Sequence, residues 1–137
     1  MKRNVVAQIS AVVYVLWGLL HLQAAFFVYK LGASLAPGML QGRMFQNAWN
    51  LLFASVVAIA VAVVMNWRNR RDGYWINAIL VGLADLGFIF FVLMPGYLPL
   101  WPGILGPVTW LLAWALSTVA YLQDRPPGQT SAVATAF

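Results

Sequence analysis

Residues 51–73 read LLFASVVAIAVAVVMNWRNRRDG. Positions 51–66 carry no charged side chain, and Arg68, Arg70 and Arg71 then arrive together. The apolar run extends back to about residue 45. A helix over 45–66 is then about 22 residues long, enough to cross a hydrocarbon layer of about 30 Å at about 1.5 Å per residue. The arginines end the run where a helix would leave the lipid.

Three further segments have this form. They run over about 5–31, 74–94 and 107–122. The last is only about 16 residues long, near the lower limit for spanning. Before it lies PGYLPLWPGILGP, residues 95–107. Its prolines 95, 99, 102 and 107 prevent a long regular helix, and the stretch is expected to supply the missing depth as an interfacial loop.

Composition agrees. The chain of 137 residues is 63% hydrophobic and 8% charged, against about 45–50% and about 25% for soluble domains. So little charge cannot cover a water-facing surface, whereas lipid sets no such demand. The predicted fold is all-α, an integral membrane four-helix transmembrane bundle over 1–122. A disordered tail is expected over 123–137, because Asp124-Arg125-Pro126-Pro127-Gly128 ends the last helix. Met1-Lys2-Arg3-Asn4 before an apolar run resembles a signal peptide, but the run is longer than a usual signal core. The segment is read as a retained first helix.

The basic residues predict orientation. Lys2, Arg3, Arg68, Arg70, Arg71 and Arg125 fall on one side of this topology, and Lys30 and Arg43 on the other. Basic loops stay in the cytoplasm, so both termini are expected there, in a cell inner membrane. The same bases explain the net charge of +5 without a nucleic-acid partner, which would call for a basic patch.

The chemical inventory is short. There is no cysteine and no glutamate; the acids are Asp72, Asp85 and Asp124, and His21 is the single histidine. Thiol chemistry is excluded. One histidine and one embedded aspartate fall short of the usual three protein ligands of a metal, so no metal site is expected, and no cofactor can be named.

Ionisable groups within a bilayer are costly and need a reason. His21 and Asp85 are the ones in the apolar runs, joined by the amides Asn47, Asn50 and Asn77. At helical rise, His21 and Asn50 lie roughly 24 Å, and Asp85 roughly 16 Å, from the inner ends of their helices. Each shares a stripe with other residues at helical spacing: Tyr14, Trp17, Gly18, His21 and Ala25 on the first helix, and Asn47, Asn50, Ala54, Ala58 and Ala62 on the second. On the third the stripe is Asn77, Val81 and Asp85, and on the fourth Trp110, Trp114, Ser117, Thr118 and Tyr121. Ala54, Ala58 and Ala62 repeat every fourth residue, a pattern that lets helices approach closely. The four stripes are expected to face one another and to gather His21, Asp85, Asn47 and Asn50 into one polar cluster in the outer half. Asn77, Trp17, Trp110 and Trp114 would lie around it.

The bland role of such a cluster is a polar bridge between helices, since buried polar groups must be satisfied whatever else they do. The sharper role is a ligand site or a His21/Asp85 acid–base pair. The first functional expectation is a non-enzymatic membrane protein that binds a hydrophobic small molecule, such as a lipid or quinone, or packs as an accessory subunit against a membrane-protein partner. The alternatives are a small membrane enzyme acting on a lipid or isoprenoid, and a homo-oligomeric channel or transporter.

Overall fold

The computed structural model describes residues 4–124. Four helices are long and apolar enough to cross a membrane, and no strand occurs among the described residues. The chain is an all-α, multi-pass membrane bundle. The tail expected after the last helix lies outside the described residues, except for Gln123 and Asp124. So do the orienting residues Lys2 and Arg3.

Helix α1 spans Val5–Ala33. It starts because the Asn4 side chain accepts a hydrogen bond from the Ala7 N–H at 3.2 Å, satisfying one of the free amides of a helix start. At its far end Gln41 reaches back from the next helix and donates to the carbonyls of Gly32 (3.3 Å) and Leu35 (3.1 Å). That contact accounts for an early start of α2, which spans Met39–Val64 rather than beginning near 45. Residues 39–44 thus belong to the helix instead of forming a loop.

The tight turn Asn66–Arg68 follows, and Asn69 adopts a left-handed backbone with φ 52, a conformation asparagine tolerates well. The side chain of Asn69 donates to the Ala120 carbonyl (2.8 Å) and to Asp124 (2.6 Å). Asn4 donates to the same carbonyl at 3.4 Å. Three segments are thereby tied at one end of the bundle.

Helix α3 spans Arg71–Phe88 and passes into a wider turn over Ile89–Leu93. The prolines then allow only a four-residue helical turn, α4 (Leu100–Gly103), before α5 (Leu105–Gln123). The last span thus begins two residues before Pro107, which is tolerated within a first turn because its missing N–H has no partner to lose.

Helix α1 packs on α2 and α5, and α3 packs on the same two neighbours. The spans form a ring with α1 and α3 on a diagonal. Small residues set the tightest seam. A methyl group on Gly18 of α1 would sit 2.4 Å from Ile59 Cγ1 and 3.3 Å from the Ser55 carbonyl, so only glycine allows this approach. The centre is filled by Val13, Tyr14, Trp17, Ala58, Ala62, Val81 and Ala113. Only 22–33% of each span's most apolar window is buried. The rest faces outward, an exposure that water would penalise and lipid does not.

Candidate functional site

His21 and Asp85 meet. The chain brings them together through Trp17, one turn before His21 on α1. The Trp17 indole N–H donates to Asp85 Oδ2 at 2.7 Å, a bond that crosses the diagonal of the ring. The His21 ring stacks on the indole, with centroids 3.8 Å apart and planes 23° apart. His21 Nε2 lies 3.6 Å from Asp85 Oδ1, which is ion-pair distance but too long for a hydrogen bond. Asp85 lies about 21 Å of helical rise beyond the start of α3 at Arg71, well inside the span.

The hydrogens can be assigned from the partners. His21 Nδ1 is 2.9 Å from the Trp17 carbonyl, which offers only lone pairs, so Nδ1 carries hydrogen. Nε2 then faces Asp85 Oδ1, a buried atom with no hydrogen-bond partner. Two bare lone pairs would repel there. A proton on either atom makes the contact attractive, as an imidazolium facing a carboxylate or as a neutral ring facing a carboxylic acid. Both forms hold one proton between the residues and leave the pair uncharged, the state a low-dielectric interior tolerates best.

Helix α5 closes the cluster with Gly106. A methyl group there would lie 3.0 Å from His21 Cε1 and 3.2 Å from Asp85 Oδ1. The first turn of α5 thus brings the backbone of Gly106 against the carboxylate. Trp17 and Asp85 are fully buried, and the His21 side chain keeps 11% of its surface. Access to the proton is therefore at the histidine edge alone.

The remaining expected members distribute differently. Asn77 is fully buried but lies two turns away, donating to Asn66 Oδ1 (3.0 Å) and the Ala58 carbonyl (3.3 Å). It joins α3 to the turn after α2 rather than to His21. Trp110 packs its indole against Gly82, where a methyl group would lie 3.3 Å from Trp110 Cζ2, and stacks with Trp114, which is 42% exposed and faces outward.

Asn47 and Asn50 are exposed and stay out of the cluster. For Asn50 the reason is phase. A helix turns about 100° per residue, so a series taken strictly every fourth residue drifts by about 40° each step. Extended from Ala62 back to position 50, the drift reaches about 120°. The buried face of α2 instead follows Ala62, Ala58, Ser55 and Ala48, which stays in phase.

Three contributors escaped the sequence reading. Gly106 was assigned to a loop. Ser10, whose hydroxyl donates to the Ala113 carbonyl at 2.9 Å, continues the stripe of Tyr14, Trp17 and His21 by one turn and could have been found by that spacing. Asn66 carries no signal apart from its partner. Among the described residues no group of three potential metal ligands occurs.

A separate apolar groove of about 300 Å³ lies on the exterior between α1 and α2. Its lining is Ala11, Val12, Val15, Val63 and Trp67. Comparison with protein families, with curated proteins and with solved structures finds no match.

Proposed function

We propose that this chain is a non-enzymatic protein of a cell inner membrane, with cytoplasmic termini, that holds a hydrophobic small molecule at its lipid-facing surface. In this reading the Trp17–His21–Asp85 cluster is a polar pin joining α1 to α3, and the binding surface is the groove between α1 and α2. One observation carries it: Asp85 and Trp17 are wholly enclosed, while the groove, open to lipid, is lined by apolar residues. A reaction centre must let a substrate atom within about 3 Å of its acid or base. The six basic residues on one side support the orientation.

Purification in mild detergent followed by native mass spectrometry tests the proposal. A hydrophobic companion bound one to one, retained by Asp85→Asn and lost on filling the groove with Val15→Trp, is the expected result. Loss of the companion with Asp85→Asn but not with Val15→Trp would move the site to the cluster.

A second reading, an accessory subunit packed against a membrane-protein partner, is favoured by Asn47 and Asn50. These exposed amides have no hydrogen-bond partner among the described residues, and amides can bond across helices. A stoichiometric protein companion released by Asn47→Leu with Asn50→Leu would support it over the groove.

A further inference from the structure

We propose that the groove between α1 and α2 is a site for an anionic phospholipid, with one acyl chain along Val12, Val15 and Val63 and the headgroup at Arg68. This rests on the reading of the groove as the binding surface and names the ligand class. The groove is apolar along its length and is topped by Trp67, an amphipathic residue suited to the headgroup boundary. Arg68 follows it directly. Arg70 is partly neutralised by Asp72, with 3.5 Å between Nη2 and Oδ2. Arg68 has no carboxylate partner among the described residues, so the cation next to Trp67 in the chain stands unopposed. Asn66, the first residue of the same turn, is buried and bonded to Asn77. That anchor fixes the turn carrying Trp67 and Arg68 relative to α3. A phosphodiester supplies the matching charge and acceptor oxygens, and its acyl chain fills a slot that only methylene and methyl groups can line favourably.

Phosphatidylglycerol and phosphatidylcholine with identical acyl chains, each added to delipidated full-length protein, provide the test by native mass spectrometry. The expected result is one tightly retained phosphatidylglycerol per chain, with phosphatidylcholine held more weakly. Arg68→Ala lowers phosphatidylglycerol retention about fivefold, the equivalent of about 1 kcal/mol per basic residue at an anionic surface, and leaves phosphatidylcholine unchanged. Val15→Trp lowers retention of both. Arg43→Ala, at the opposite end of the bundle, changes neither. Equal retention of the two lipids, or an equal loss with Arg43→Ala, would overturn the inference, because either result reports unspecific coating or net charge. Full retention of phosphatidylglycerol with Val15→Trp would overturn it too, since the chain would not lie in the groove. If another hydrophobic molecule is displaced by Val15→Trp while phosphatidylglycerol is not, the lipid assignment fails and the groove stands. If no hydrophobic molecule is retained at all, both fail.

Discussion

Replacing Asp85 by asparagine and by alanine separates two accounts of the polar pin. If the cluster needs a negative charge, both changes destroy it. If it needs one proton shared in an uncharged pair, asparagine is a faithful replacement. The amide oxygen can accept the Trp17 N–H now held by Oδ2 at 2.7 Å, and the amide nitrogen can donate to His21 Nε2, now facing Oδ1 at 3.6 Å. Nothing polar is left unpaired, so Asp85→Asn is expected within about 1 kcal/mol of the parent, the net scale of one hydrogen bond. Asp85→Ala leaves the Trp17 N–H buried without an acceptor, which costs about 1–3 kcal/mol. It also opens a void between α1, α3 and α5, and a total loss of about 3 kcal/mol or more is expected.

Stability against denaturing detergent measures the two losses, and nitrogen NMR provides an independent readout. The chain has a single histidine, so one pair of ring signals is unambiguous. In Asp85→Asn the ring should be neutral with its hydrogen on Nδ1. In the parent, Nδ1 should be protonated whichever partner holds the shared proton. A parent ring with hydrogen on Nε2 alone would refute the assignment, because Nδ1 would then oppose the Trp17 carbonyl. Equal destabilisation by asparagine and alanine would refute the uncharged pair.

Other changes follow from the same contacts. Gly106→Ala should push on both His21 and Asp85, cost about 1–3 kcal/mol as an overpacked core does, and shift the histidine signals; unchanged signals would mean that α5 does not close the cluster. Gly18→Ala should weaken the seam of α1 with α2 by a similar overpacking cost, and Ile59→Ala in the same chain should recover much of it, a coupling expected of touching residues. Asn77→Leu should cost about 0.6–2 kcal/mol, the range for hydrogen bonds between membrane helices, with the histidine signals unmoved. Because the chain has no native cysteine, Ser34→Cys and Asp72→Cys can be labelled with an impermeant reagent; they should react from opposite sides of the membrane, and reaction from the same side would break the topology.

How much was legible follows from what the bilayer makes conspicuous. An ionisable side chain in an apolar run stands out whatever its surroundings, so His21 and Asp85 could be paired by depth and helical face. The stripe on α1 was readable because Tyr14, Trp17, Gly18, His21 and Ala25 fall at i, i+3, i+4, i+7 and i+11, which keeps a helix in phase. All five are buried. The stripe on α2 was read from alanines at a constant spacing of four, which drifts, and it carried Asn50 out of the core. In water an exposed apolar position would have signalled that error, but in lipid both faces of a span are apolar and hydropathy holds little phase information. That leaves small residues and spacing as the guides.

Gly106 was illegible for a different reason. Its role depends on the level at which α5 begins, and that level is set by the preceding loop. Counting up from Ala120, where Asn4 and Asn69 bind, Gly106 stands about 21 Å higher. Asp85 stands about 22 Å above Arg70, beside Asn69. The two therefore meet at one height, although the first opens its helix and the second lies well within its own. Helix α1 continues about 18 Å beyond His21 to Ala33. The fourth span opens at the level of the polar pair, and the proline-rich chain continues beyond it. A longer α5 would place a side-chain-bearing middle turn against the pair in place of the glycine of a first turn. The feature that made the last segment look marginal as a span thus places Gly106 against the buried pair.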